Sequence, residues 1–312
     1  MARDINELVP LLGDTKKIVI TTHAKPDGDA MGSSLALYDM LVQLEHNVNI
    51  IVPTDYPDFL YWLPGNDKVI IYPEQKKQSD ELISEAELIF CLDFNDLSRI
   101  KGMQDSVKNS SAVKIMIDHH LNPSNFDTYR LSRTSASSTA ELIYELYELL
   151  KDQVVLNKDI AACIYTGIMT DTGSFRFDCT TAQVHRIIAN LIETGIKAAE
   201  IHNDVYDSFK ENRLRLLGYI LSEKMIILQE YNAAYISLSK EDLIRFNVKT
   251  GDTEGIVNYP LGIRGIRIAV MITDRSSEKS NENEIRLSLR SIGDISVSDM
   301  SNKYFNGGGH KN

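Results

Sequence analysis

The chain has 312 residues, 43% of them hydrophobic and 25% charged, and with domains of roughly 150 residues that size fits two domains or one large one. This balance excludes a collagenous, low-complexity or disordered chain. A net charge of −11, from 33 Lys+Arg and 44 Asp+Glu, argues against broad, non-specific duplex binding, where counterion release needs a basic surface.

A small anionic substrate in a local positive pocket stays compatible with that charge. The cysteines, Cys91, Cys163 and Cys179, are odd in number and show no C-x-x-C spacing. They read as free thiols in a reducing compartment. The opening MARDINELVPLLGDTKK has no basic-then-apolar leader profile, and no run approaches the ~18 apolar residues of a membrane span. A cytoplasmic protein is expected.

In chain order, short apolar runs alternate with helical periodicity. Ile18–Ile20, Val48–Val52, Val69–Tyr72, Leu88–Leu92 and Val113–Ile117 are apolar on both faces and flanked by turn residues, the pattern of a parallel sheet covered on both sides. Met31, Leu35, Tyr38 and Val42 make one helix face. Ser138 and Glu141 have capping-box spacing before Leu142, Ile143, Leu146 and Leu149. Asn157 is placed to cap a helix whose Ile160, Ile164 and Ile168 stack. The first half is therefore predicted as α/β and doubly wound. Charged helical sequence follows from about Thr181 to Leu228. Then Ile266, Ile268, Val270 and Ile272 alternate, as do Ile285, Leu287 and Leu289, which predicts an antiparallel hairpin. A helical segment near Val297–Phe305 leads into Gly307-Gly308-Gly309-His310. The expected division is a first domain over 1–195, a helical connector over 196–229 and a smaller α+β domain over 230–312.

Ligands of an open parallel sheet bind beyond the carboxyl ends of its strands. Three expected strands end in metal-ligand chemistry: the first runs into His23, Asp27 and Asp29, the fourth into Asp93, the fifth into Asp118-His119-His120. The helix from Asn157 ends at Asp171, with Gly173 as its stop. An acidic residue after a strand usually caps the next helix; four such places together favour a metal site. The rival reading, a phosphate cradle at Gly28–Ser33, fails because the segment is neither G-x-G-x-x-G nor G-x-x-x-x-G-K-[ST]. Asp27 and Asp29 would also repel a bare phosphate. His23, His119, Asp27, Asp29, Asp93 and Asp171 bring four carboxylates and two imidazoles with no thiolate, a set that suits Mn²⁺, Mg²⁺, Fe²⁺ or Zn²⁺. Two such ions roughly 3.5–4 Å apart can share a carboxylate and acidify water, the apparatus of phosphoester hydrolysis.

His23-x-x-x-Asp27-x-Asp29, Asp93, Asp118-His119-His120 and Asp171 together resemble the DHH phosphoesterase family, and Gly307–His310 resembles the signature of its DHH-associated C-terminal domain. With Ser137–Leu142 and Ser288–Ser291, the chain looks most like the nanoRNase/pAp-phosphatase branch. The resemblance implies an active site in a cleft between two domains and two divalent ions, Mn²⁺ first among them. It implies His23 and Asp27 on one ion, Asp29, His119 and Asp171 on the other, and Asp93 between them. Asp118 would orient the site, His120 would face the scissile phosphate, and a metal-bridging hydroxide would attack. Arg264, Arg286, Ser288, Arg290, Gly307, Gly308, Gly309 and His310 would hold the substrate. The implied reactions are cleavage of short single-stranded RNA to 5′-mononucleotides and removal of the 3′-phosphate of adenosine 3′,5′-bisphosphate (pAp) to give AMP. Alternatives are a linear dinucleotide (pApA-type) phosphodiesterase, a pyrophosphate or polyphosphate hydrolase, and, in a different class, a non-catalytic nucleotide sensor. Long duplex and membrane are not expected partners; a homodimer stays open. The family pattern continues with small residues after its glycines, whereas this chain stops at Asn312.

The other polar and aromatic residues have plainer readings. His46, His185 and His202 lack partners at ligand spacing, Phe59, Tyr61 and Trp62 read as packing residues, and Arg99 reads equally as a phosphate contact or a surface residue. Cys91 reads as a small buried strand residue.

Overall fold

The apolar runs become strands because each has two faces to bury. In the computed structural model, which describes residues 2–275, 284–305 and 307, the first unit begins with β1 (Arg3–Asp4), β2 (Lys17–Thr22), α1 (Gly28–Gln43), β3 (Asn47–Val52), β4 (Val69–Ile71), α2 (Lys76–Glu85) and β5 (Leu88–Leu92). It continues with α3 (Gln104–Asn109), β6 (Val113–Asp118), β7 (Tyr129–Ser132), α4 (Thr139–Leu150), α5 (Lys158–Asp171), α6 (Ala182–Glu193) and α7 (Ala198–Tyr206). The seven strands lie in the order β1-β7-β6-β5-β2-β3-β4, and every pairing is parallel. Side chains of β5 divide by parity: Leu88, Phe90 and Leu92 join α1, α4 and α5 in one core, while Ile89 and Cys91 join α2 and α3 in another. The expected doubly wound α/β architecture is the observed one.

All five expected strands are present, as β2 to β6. β1 and β7 carry no comparable apolar signal: Arg3 and Asp4 are exposed and Tyr129-Arg130-Leu131-Ser132 is mixed. Their place is decided by the open edge of β6, which β7 extends in register from Ile115↔Tyr129 to Asp118↔Ser132.

From β2 the chain winds one way to β3 and β4, then returns so that β5 pairs with the other side of β2. The strand order reverses between β2 and β5, which opens a crevice at their carboxyl ends. Helices α1 and α5 pack against each other at backbone distance. A β-carbon at Gly32 would stand 2.4 Å from the Cys163 carbonyl oxygen, and one at Gly167 2.5 Å from the Ala140 β-carbon. Only glycine lets three helices converge this tightly.

The second unit, Ser208–Asn312, holds α8 (Glu211–Tyr219), β8 (Met225–Leu228), β9 (Ala233–Leu238), α9 (Lys240–Arg245), β10 (Ile268–Asp274), β11 (Ile285–Ser291) and α10 (Val297–Phe305). Its sheet has the order β11-β10-β9-β8. The expected hairpin is β10–β11, antiparallel from Ile268↔Ser291 to Asp274↔Ile285, while β9 and β10 run parallel. The stretch 196–229 is divided: α7 falls in the unit Met1–Asp207, and α8 and β8 fall in the second. Met225–Leu228 is a strand rather than helix, because it completes the sheet beside β9. Among the described residues no helix is long and apolar enough to cross a membrane.

Candidate metal centre

The carboxyl ends of β2, β5 and β6 deliver their polar residues to one place. His23 follows β2, and its Nδ1–H donates to the Ala24 carbonyl at 3.0 Å. A carbonyl can only accept, so this bond fixes the tautomer and turns Nε2 inward. That Nε2 lies 3.2 Å from Asp93 Oδ2 and 3.8 Å from Asp27 Oδ2. His119, after β6, is held likewise by the Ala136 carbonyl at 3.3 Å. Its Nε2 lies 3.2 Å from Asp171 Oδ2, 3.5 Å from Asp93 Oδ1 and 3.7 Å from Asp29 Oδ2. The two oxygens of Asp93 thus face different histidines, the geometry a carboxylate shared by two ions requires.

Each aspartate is held by local structure. Asp27 caps α1 by accepting the Asp29 and Ala30 N–H groups on Oδ1, both at 3.1 Å, which leaves Oδ2 for the site. Asp29 is the second residue of α1 and is fully buried. Asp93 directly ends β5 with φ +60°, a left-handed conformation uncommon for non-glycine residues and often found at functional sites. Asp171 is the last residue of α5, where Thr172 closes the helix and Gly173, at φ +57°, turns the chain away. Three sets of possible ligand atoms lie within 4.8 Å of one another: His23, Asp27 and Asp93; Asp29, His119 and Asp171; and Asp93, His119 and His120.

Asp118 is buried and accepts from His120 Nδ1 at 2.8 Å and from the His120 backbone N–H at 3.2 Å. It therefore orients His120, while a carbonyl does the same for His119. The His119 and His120 rings meet edge-to-face, with centroids 5.2 Å apart.

Burial works against charge in this cluster, and the neighbours decide each case. Desolvation disfavours a protonated His23, yet Asp93 and Asp27 outweigh it and lift the ring to about 9. His119 is raised well above the usual histidine range by Asp171 and Asp93, again against burial. Those two histidines hold Asp93 well below the usual carboxylate range despite its burial. Burial and the repulsion of Asp93 and Asp171 push Asp29 well up, and burial raises Asp27. Among the described residues no lysine or arginine pairs with Asp29 or Asp93. Buried carboxylates in that number, faced by imidazole nitrogens and no thiolate, fit hard or borderline divalent cations, which replace the protons the cluster otherwise retains.

In the second unit, the β10–β11 register places Arg286, Ser288 and Arg290 opposite Thr273, Met271 and Ala269, so the three share one sheet face. Arg264 is exposed before β10. The Gly307 N–H donates to the Ser301 carbonyl at 3.1 Å, and a β-carbon there would stand 2.1 Å from Ser301 Oγ, so a side chain at 307 requires the Ser301 hydroxyl to rotate away. Gly308, Gly309 and His310 lie outside the described residues. Arg275 was not singled out in the sequence. Its half-buried guanidinium is pushed down by burial and by Arg286, and its Nε has no hydrogen-bond partner. The signal for it was its parity with Arg286, Ser288 and Arg290 across the hairpin.

The plainer readings hold in most cases. His46 Nδ1 accepts the Lys16 N–H, His202 Nε2 meets Ser174 Oγ at 3.2 Å, and Cys91 is buried with its thiol pushed up. Phe59 and Trp62 pack against the main core. Tyr61 is instead 46% exposed and bonds Asp55. The Arg99 carbonyl accepts the Ala24 N–H, which brings its charge near His23.

Comparison with known proteins agrees with this geometry. Residues 17–168 match the model of the DHH family, N-terminal domain. The chain is 32% identical to the bifunctional oligoribonuclease and PAP phosphatase NrnA of Bacillus subtilis, over 97% of this chain and 90% of that protein. It is 30% identical to the Thermus thermophilus protein of the same name, over 94% and 81%. The crystal structure of an exopolyphosphatase-related protein from Bacteroides fragilis superposes with a TM-score of 0.90 at 41% identity, covering 99% of this chain and 88% of that one. The chain accordingly belongs to the DHH family, as an NrnA-like, phosphoester-hydrolysing enzyme.

Proposed function

We propose that the enzyme is a Mn²⁺-dependent hydrolase of very short ribonucleotides, releasing 5′-mononucleotides, and a 3′-phosphatase of pAp that yields AMP. The observation that carries this reading is Asp93, whose two oxygens face His23 and His119 at 3.2 and 3.5 Å. His23, Asp27 and Asp93 would hold one ion and Asp29, His119, Asp171 and Asp93 the other. Bound there, divalent ions supply Lewis acidity toward a phosphoryl oxygen and acidify water toward a pKa of ~7. The residues do the rest. Ala24 and Ala136 fix the histidine tautomers, and Asp118 anchors His120, which would face the scissile phosphate.

Charge distribution supports a short anionic substrate. Residues 1–207 carry 18 Lys+Arg against 31 Asp+Glu, a net −13, while residues 208–312 carry 15 against 13, a net +2. Two divalent ions offset the local carboxylates of the first unit, and the arginine face of β10–β11 suits phosphate recognition. The free cysteines fit a reducing cytoplasm.

Similarity to the exopolyphosphatase-related protein of Bacteroides fragilis favours a second reading, hydrolysis of polyphosphate. Initial rates with Mn²⁺ on pAp, a diribonucleotide, pApA, pyrophosphate and polyphosphate separate the two. Turnover of pAp and the diribonucleotide is expected; turnover confined to polyphosphate or pyrophosphate would overturn the nucleotide reading.

A further inference from the structure

The loop before α4 and the first turn of that helix touch three of the six expected ligands. The Ala136 carbonyl holds His119 Nδ1 at 3.3 Å. The Thr139 and Ala140 N–H groups donate to Asp29 Oδ2 and Oδ1 at 2.6 and 2.8 Å. The Thr139 hydroxyl donates to Asp93 Oδ1 at 3.0 Å. Helices leave their first four N–H groups without an internal acceptor. Here Asp29 takes two of them, and Ser138 Oγ takes that of Glu141 at 3.0 Å.

We propose that Thr139 is a positioning residue for Asp93, and that residues 136–140 form the outer layer that sets the metal centre. This rests on the metal-centre reading above. Thr139 is fully buried, so its hydroxyl exchanges no partner with water. A hydroxyl has one proton to give, and Asp93 Oδ1 receives it. With Oδ1 tethered to α4 and Oδ2 facing His23, the carboxylate cannot swing to offer both oxygens to one side. The loop is itself braced. Glu141 Oε2 accepts the Ser137 N–H at 2.6 Å, and Arg133 bridges Glu141, at 3.3 Å, and Glu145. The expected capping box is thus half formed: its reciprocal arm lands on Ser137 rather than Ser138, because Glu141 is drawn toward Arg133.

The test is Mn²⁺ titration calorimetry on metal-free wild type, Thr139→Val and Thr139→Ser, alongside kcat and KM on pAp. Outer-shell partners typically carry about 10–100-fold in metal affinity or activity, and Thr139→Val is expected to lose that much affinity, with a matching fall in kcat and little change in KM. Thr139→Ser keeps the hydroxyl and is expected to bind near wild type. Should the valine variant not fold, Thr139→Ala carries the same expectation. Equal Mn²⁺ affinity in wild type and Thr139→Val overturns the proposal, as does a serine variant as weak as the valine one. A wild type that binds no Mn²⁺ would instead overturn the metal-centre reading, and this proposal with it.

Discussion

Gly167 on α5 abuts Asp29 on α1 so closely that a β-carbon at residue 167 would stand 2.9 Å from Asp29 Oδ1. The same atom would stand 2.5 Å from the Ala140 β-carbon. The metal centre therefore depends on a helix crossing with no side chain in it. Gly167→Ala is expected to destabilise the first unit by about 1–3 kcal/mol, the usual range for overpacking. It should also weaken Mn²⁺ binding, since the displaced groups are Asp29 and the turn of α4 whose N–H groups donate to it. Thermal melts and calorimetric titration check both.

Asp93→Asn separates charge from conformation. Asparagine readily adopts the +60° φ seen at Asp93, so the fold should persist. Loss of the shared carboxylate is expected to lower kcat on pAp by at least about 10³-fold, beyond the 10–100-fold of outer-shell partners. Retained activity within tenfold would argue against a bridging role.

Chelation should reveal how far the centre holds the first unit together. Metal-free protein keeps several buried carboxylates close to one another, whereas an ion bound to the folded state stabilises it by RT ln(1 + [L]/Kd), about 2.7 kcal/mol at a hundredfold excess over Kd. Melting followed by tryptophan fluorescence suits this, since Trp62, the single tryptophan, lies in the first unit. The midpoint is expected to drop with EDTA and recover with Mn²⁺.

Asp242 gives the second unit its own acid sensitivity. Its Oδ2 pairs with Lys224 at 2.8 Å and accepts the Ser239 N–H at 2.9 Å, and its Oδ1 accepts from the Tyr219 hydroxyl at 2.8 Å. Burial opposes ionisation, but Lys224 and these donors outweigh it and lower the carboxyl to about 2. A depressed folded pKa contributes stability above the unfolded value near 3.8 and loses it as pH falls toward 2. Asp242→Asn is expected to cost about 2 kcal/mol at pH 7 and to flatten the acid limb of the unfolding curve. Denaturant titrations from pH 7 to pH 2 check this.

Substrate grip should reside in the guanidinium groups of β10–β11. Arg286→Gln and Arg275→Gln are expected to raise KM for pAp while leaving Mn²⁺ affinity unchanged, the signature of lost uniform binding. A fall in kcat with constant KM would contradict that role.

Much of the site was legible in one dimension. Strands β2, β5 and β6 announced themselves as runs apolar on both faces, and in a parallel sheet all such runs deliver their ends to one side. That rule alone gathered His23, Asp27, Asp29, Asp93, Asp118 and His119, and helix periodicity from Asn157 added Asp171. What sequence could not contain was distance between segments. The Thr139 hydroxyl reaches Asp93 across 46 residues and the Thr139 N–H reaches Asp29 across 110, although the sequence around Thr139 reads as a helix cap and a family-like segment, with no sign of either contact. β1 and β7 likewise carry too little apolar signal to be found, and exist because a sheet edge was there to pair with. Local chemistry determined which residues could bind a metal; packing at Gly32 and Gly167, where helices meet without side chains between them, decided how those residues are held.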